Sequence, residues 1–364
     1  MRSTRKERLK AYLARSKLLR ASYWKARRTQ SKVARGLHSK RQPDSQQFDS
    51  FAKLDGESDS EENPATPIVT DEYELRPHPD ASNPVLTHAD VPFRLANFVA
   101  DPFVVFEDGV YHMFFEIKDV ARQVYIAHAY SHDGLEYTYN DVVIHPETAQ
   151  HTYPMVFEHD GEWLMVPSPG PGVKGEFQIY RATSFPTDWE LIKVPLKTGV
   201  RQDPTLFQYD SRWYLLFQDT DQMDIELYHA ETLLEGNWQR HPASPVFCND
   251  SEKLRQCSIG SAENVPSGYP LVHDGGVDIF FRRHTVPDLR HYRITKLNET
   301  SFVHEQVNPE GPFRDTDRDL WNEQFIHTVN PVYPFDHGRN IVAIDGLPSD
   351  SYTWSIGIFA AVSR

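Results

Sequence analysis

Residues 99 to 116 read VADPFVVFEDGVYHMFFE, and residues 201 to 219 read RQDPTLFQYDSRWYLLFQD. Each is a pair of apolar, β-branched and aromatic runs pivoting on a turn aspartate, the composition of a β-hairpin. Each also carries Asp-Pro near its start, so Asp101 and Asp203 hold the same place in two similar hairpins. Three further hairpins continue the series: MVFEHDGEWLMVPS, PLVHDGGVDIFFRR and PVYPFDHGRNIVAID. The five turn aspartates, Asp108, Asp160, Asp210, Asp274 and Asp336, are separated by 52, 50, 64 and 62 residues. The first four hairpins are followed by another apolar strand, a turn and an aromatic strand, as in RQVYIAHAYSHDGLEYTY, FQIYRATSFPTDWELI, IELYHAETLLEGNWQRHPASP and HYRITKLNETSFVHEQ. Repeats of roughly fifty residues with several strands each are the sequence form of propeller blades. The expected fold is therefore all-β, a five-bladed β-propeller over residues 85–364, with a stacked β-sandwich as the alternative.

The composition, 39% hydrophobic and 12% aromatic over 364 residues, supplies a core for such a domain. No window approaches the roughly 18 consecutive apolar residues of a membrane span, and no apolar h-region follows the basic N-terminus. These absences lead to the expectation of a cytoplasmic protein. Cys248 and Cys257 are too few for a disulfide framework or a zinc site and read as small packing residues.

Charge divides the chain sharply. Residues 1–41 hold nine arginines and six lysines against the single acid Glu7, a balance of +14 within a chain of net charge −14, so the remainder carries −28. A body this acidic repels nucleic acid and suits high salt, where dense carboxylates keep a surface hydrated. Within the arm, Leu9, Tyr12, Leu13, Leu19, Tyr23 and Trp24 recur at roughly helical spacing among basic residues. The expected arm is either disordered or a basic amphipathic helix resting on an anionic membrane surface, which would hold the protein peripherally at the inner membrane face. Residues 42–84, polar, acidic and proline-terminated, read as a linker.

In a propeller the innermost strand of each blade lines a central channel, so residues far apart in sequence converge there. Asp101 and Asp203 are expected to face one another across it, each held extended by the proline that follows. Glu263, ahead of the fourth hairpin, is a third carboxylate for the same place. Paired carboxylates around a pocket are the equipment of glycosidic-bond chemistry. Tyr153 and Trp321 are candidate sugar-stacking aromatics, and His151 and His327 are further candidate substrate-binding residues. His112, His128, His151 and His327 do not pair at metal-ligand spacing, so no metal is expected, and nothing in the sequence signals a cofactor.

The order VADP, RQDPTLF and then a blade-four glutamate resembles the five-bladed propellers of glycoside hydrolase family 43 and related furanosidases. That resemblance implies Asp101 as general base, Asp203 as the carboxylate that orients and tunes, and Glu263 as general acid. The family follows its acid with Gly-Pro, whereas this chain has Asn264-Val265-Pro266. Over residues 95–348 the same motifs, with the closing IHTVNPV and IVAIDG, are similar to the N-terminal propeller domain of glucosamine inositolphosphorylceramide transferases and to microbial relatives of a halophilic archaeal kind. Members of that group show Arg-Pro-Ala-Gly in blade four, where this chain reads Val265-Pro266-Ser267-Gly268. The resemblance implies a sugar or glycolipid substrate and hydrolysis or transfer at a glycosidic bond. The alternatives are a non-catalytic glycan- or glycolipid-binding propeller working beside a separate glycosyltransferase, and a protein-interaction propeller.

Overall fold

In the first three hairpins the turn residues adopt the left-handed conformation that closes a two-residue connection. The pairs are Asp108 and Gly109 at φ 50° and 79°, Asp160 and Gly161 at 54° and 77°, and Asp210 and Ser211 at 48° and 61°. Positive φ at both central positions matches the twist of the flanking strands, and aspartate and glycine are the residues that tolerate it. The computed structural model describes residues 73–363 apart from 93–94, 146–149, 170–175, 197–200, 220–223, 248–264, 283–288, 309–320, 336–337 and 349–352. The basic arm, Cys248, Cys257, Glu263 and Asp336 lie outside the described residues.

The strands form five separate antiparallel sheets, four of them built in sequence order from the inner strand outward and the fifth completed by a strand from earlier in the chain. Blade one consists of Ala96–Glu107, Val110–Asp119, Val124–Ser131 and Thr138–Ile144. Blade two consists of His151–His159, Glu162–Pro169, Phe177–Ser184 and Asp188–Leu196. Blade three consists of Arg201–Tyr209, Arg212–Asp219, Asp224–Ala230 and Gln239–Arg240. Blade four has an inner strand split into Val265–Pro266 and Leu271–His273, followed by Gly276–Arg282, Leu289–Leu297 and Phe302–Asn308. Blade five runs Phe325–Pro331, Val342–Leu347 and Ser355–Ser363, and its outermost strand is Tyr73–Pro77. The fold is the expected propeller and not a sandwich.

Tyr73–Pro77 corrects the expected domain boundary. These residues fall within the stretch read as linker, yet they pair from Tyr73 with Ser363 through Pro77 with Phe359. The first described strand therefore completes the last blade and ties the two ends of the ring together.

Apolar faces of neighbouring blades pack on one another, and the channel itself is filled. Phe103, Tyr153 and Tyr269, from the inner strands of blades one and two and the inner segment of blade four, are fully or almost fully buried. The Phe103 ring stands edge-on to Tyr153 and Tyr269 at centroid distances of 4.8 and 4.9 Å. Polar links stitch these inner strands: Gly268 N donates to Tyr153 Oη at 2.6 Å, and Asn330 Nδ2 donates to Pro102 O at 2.6 Å. Gly268 has to be glycine, because a Cβ there would lie 2.0 Å from Val329 O, and its φ is +122°.

Candidate functional site

The inner strands of blades one, two and three each carry the same irregularity. Two residues stand opposite one of the partner strand between Ala100 and Phe103, between Thr152 and Met155, and between Gln202 and Thr205. Each is a β-bulge, which re-aims a side chain out of the pleat. The residue before the proline is left-handed at each bulge, with φ 52° at Asp101, 47° at Tyr153 and 52° at Asp203. The expectation that the prolines hold Asp101 and Asp203 extended is thus overturned. A bulge must accommodate an extra residue, and the turn this demands outweighs the local preference set by proline. Blade five repeats the device between Ile326 and Val329, where His327 and Thr328 occupy the bulge.

The bulges bring Asp101, Asp203 and His327 to one end of the channel, where second strands add Glu116, Arg282 and Asp345. All six are buried except His327, whose side chain is 18% exposed. Asp345 is the hub. Its Oδ1 accepts from Thr328 N at 2.7 Å and Thr328 Oγ1 at 2.9 Å. Its Oδ2 accepts from Asp101 N and His327 Nδ1, both at 2.9 Å. His327 Nδ1 also lies 3.0 Å from Asp101 Oδ1. On the other side, Arg282 donates from one terminal nitrogen to Asp203 Oδ2 and from the other to Pro266 O at 3.2 Å. Asp203 N is held by Ser168 Oγ of blade two at 3.0 Å. Asp101 and Asp203 are therefore each anchored through the backbone by a side chain from the neighbouring blade.

Electrostatics sorts the carboxyl groups. Burial works against the charge on Asp101, but His327 and then Arg282 outweigh it and hold Asp101 below the usual carboxylate range. Glu116, the cross-strand partner of Ala100, is pushed well up by burial and then by the nearby Asp101 charge. The two carboxyl groups are thus pushed in opposite directions, Asp101 toward the anion and Glu116 toward its protonated form. Burial and Asp101 raise Asp203 against the pull of Arg282. Burial and Arg282 would lower His327, yet Asp345 and Asp101 overcome both and hold it at about 9, so it is an imidazolium at neutral pH.

Asp101, His327 and Asp345 form the one metal-capable group among the described residues, with ligand atoms within 4.8 Å of one another. The four hydrogen bonds on Asp345 and the proton on His327 between two carboxylates make this an ion-pair network as it stands.

The other expected site residues lie elsewhere. Tyr153 offers no face to a sugar: it is fully buried, its hydroxyl engaged with Thr205 and Gly268, because its bulge turns the ring into the plug. Trp321 is a wedge under blade five, filling the slots left by Gly346 and Gly357, where a Cβ would come within 2.8 and 2.5 Å of its ring. His151 is buried against Tyr180 Oη at 3.0 Å, and burial pushes it down to about 4. His112 and His128 pair with each other at 3.0 Å within blade one. The aromatic that does reach the site is Trp354, partly exposed, its ring 4.8 Å from that of His327 and its carbonyl accepting from Val99 N at 3.2 Å. Arg282 was also missed. It is the cross-strand partner of Val265, so a guanidinium reaches the site although blade four lacks the Arg-Pro-Ala-Gly motif.

Residues 61–347 match the family model described as glucosamine inositolphosphorylceramide transferase 1, N-terminal. Among curated proteins, the chain is 28% identical over 294 residues to glucosamine inositolphosphorylceramide transferase 1 of Oryza sativa subsp. japonica, covering 75% of this chain and 37% of that protein. It is 30% identical over 176 residues to the protein of that name from Arabidopsis thaliana, covering 46% of this chain and 22% of that one. The chain thus spans about 37% of the length of the rice relative, and both relatives are plant proteins rather than halophilic archaeal ones. Among solved structures, a glycosyl hydrolase from Bacteroides ovatus superimposes with a TM-score of 0.57 at 11% identity, covering 80% of this chain and 94% of that one. At that identity the likeness concerns the fold.

Proposed function

Because the chain belongs to the glucosamine inositolphosphorylceramide transferase 1 N-terminal family, we propose that the end of its channel is a sugar site at which a glycosidic bond is broken or transferred. The observation that carries this reading is the convergence of two buried carboxyl groups, Asp101 and Asp203, each anchored through its backbone by the neighbouring blade and paired with a cation, His327 or Arg282. Asp101 takes the proton of an attacking water or acceptor hydroxyl, and His327 and Asp345 hold it in place. Asp203, fixed by Arg282, sets the field in which that proton moves. The resemblance to family 43 supports Glu263 as the acid that protonates the leaving oxygen. Trp354 offers a ring face to a sugar at the site's edge.

A second reading is a glycan- or glycolipid-binding propeller that works beside a separate glycosyltransferase. The ion pairs on Asp101 and Asp203 favour it, since they stabilise the anions as fixed acceptors for sugar hydroxyls. A panel of aryl glycosides and free glycans separates the two. Turnover of any member supports the enzyme, binding throughout without turnover leaves the binder, and neither removes the sugar site altogether.

The composition supports two finer readings, a microbial high-salt origin and a basic arm over residues 1–41 that holds the protein at the inner face of an anionic membrane. Melting temperature and vesicle binding, followed from dilute buffer to molar potassium chloride with and without residues 1–41, test both. Stability that does not rise with salt removes the first reading, and vesicle binding indifferent to the deletion removes the second.

A further inference from the structure

Among the described residues, four large apolar side chains stand exposed: Leu95, Val120, Leu191 and Val303. Leu191 and Val303 lie on different blades, in the strands Asp188–Leu196 and Phe302–Asn308. Leu95 and Val120 are the two most exposed, at 75% and 64%, and they adjoin: Val120 N donates to Leu95 O at 2.9 Å. Val120 begins the tip of the turn between the second and third strands of blade one, closed by Arg122 N donating to Asp119 O at 2.9 Å. Ala121 and Arg122 beside it are exposed as well. Lys118 stands over the Phe98 ring at 5.4 Å. The acid in the turn faces its own chain, with the Asp119 carboxylate accepting from Gln123 N and Tyr125 Oη, both at 2.9 Å.

This tip lies on the site's side of the ring. Glu116 precedes Lys118 by two positions on the same strand, so at about 3.3 Å of rise per residue Val120 stands about 13 Å beyond Glu116. A protruding turn with adjoining aliphatic side chains and flanking cations does not suit a shaped protein groove. It suits a deformable anionic medium with an apolar interior. Repulsion between such a surface and the acidic remainder of the body leaves this locally basic corner as the face that approaches.

We propose that the blade-one tip, Leu95 and Val120 between Lys118 and Arg122, enters the headgroup layer of an anionic phospholipid bilayer and turns the channel end toward it. Docking of the tip is independent of what the channel binds; that the membrane carries the substrate, as a lipid-linked sugar, rests on the sugar-site reading above.

The test uses the full chain with Cys248→Ser and Cys257→Ser, carrying an environment-sensitive fluorophore on Val120→Cys or, in a second protein, on Val303→Cys. Vesicles are phosphatidylcholine with or without phosphatidylglycerol. The label at position 120 is expected to shift to the blue and brighten several-fold on anionic vesicles, and the label at 303 to stay unchanged. Unlabelled Leu95→Asp/Val120→Asp protein is expected to bind those vesicles about tenfold more weakly while its melting temperature and any turnover of soluble glycosides remain as before. No shift at 120, an equal shift at 303, or undiminished binding by the double variant overturns the proposal. The expected vesicle results with no sugar binding or turnover would uphold the docking tip and remove the sugar site instead.

Discussion

Asp101→Asn is expected to lower turnover by about 10²- to 10⁴-fold, the usual loss for a general base, while sugar affinity changes only a few-fold. Asparagine is a conservative probe here for a conformational reason. Position 101 sits at φ 52°, and asparagine is among the few residues at ease in that region. The anchor is also kept, since the bond from the backbone N of residue 101 to Asp345 Oδ2 does not involve the side chain. His327 retains Asp345 as its partner. What disappears is the negative charge that, on the proposed reading, receives a proton in the transition state. Parallel measurement of kcat and of Kd for an unreacted glycan checks this. Undiminished turnover would remove Asp101 as base, and lost affinity in a protein without turnover would favour the binding role.

The largest stability effect is expected at Asp345. Asp345→Ala leaves Asp101 N and both Thr328 donors without their acceptor in a buried site and the His327 imidazolium with Asp101 as its one remaining carboxylate partner, and breaking a buried ion pair this way costs about 3–5 kcal/mol. Asp345→Asn is expected to be milder and to expose the origin of a pH dependence. His327 is held at about 9 against an ordinary 6.5, so its contribution to stability is full below about 6.5 and is lost as pH rises through about 9. Without the Asp345 charge, burial and Arg282 pull His327 down, and that alkaline loss shrinks. Denaturant midpoints across this range, with His327 titrated by NMR, check both variants. A wild-type His327 titrating near 6.5, or an Asp345→Ala protein as stable as the parent, would overturn the account.

The blades were legible in the sequence because each hairpin is a local event. Alternating apolar runs and an Asp-Gly or Asp-Ser turn specify it without reference to the rest of the chain. The N-terminal strand was not legible: YELRP has a single apolar core residue, Leu75, and its partner lies at the other end of the sequence. The site was half legible. Asp101 and Asp203 were identified by their repeated place, but the bulges that aim them depend on pairing, which a string of residues does not display. Glu116, Arg282 and Asp345 were overlooked inside the strands HMFFEI, IFFR and VAID, although a lone charge in an apolar run is a signal that it has a buried partner. Tyr153 and Trp321 show the converse limit, since an aromatic's type does not distinguish a plug from a platform.

The pairing of Tyr73–Pro77 with Phe359–Ser363 dictates an order of manufacture. On the ribosome, blades one to four can form from chain already delivered, but Tyr73–Pro77 has no partner strand until residues 359–363 emerge. His327 and Asp345 arrive equally late, so during nearly all of synthesis Asp101 exists without the groups that hold it. A message cut short before residue 355 would therefore yield a protein missing the strand Ser355–Ser363 on which Tyr73–Pro77 closes. Closure of the ring and assembly of the site thus both wait on blade five, which brings the partner strand of Tyr73–Pro77 together with His327 and Asp345.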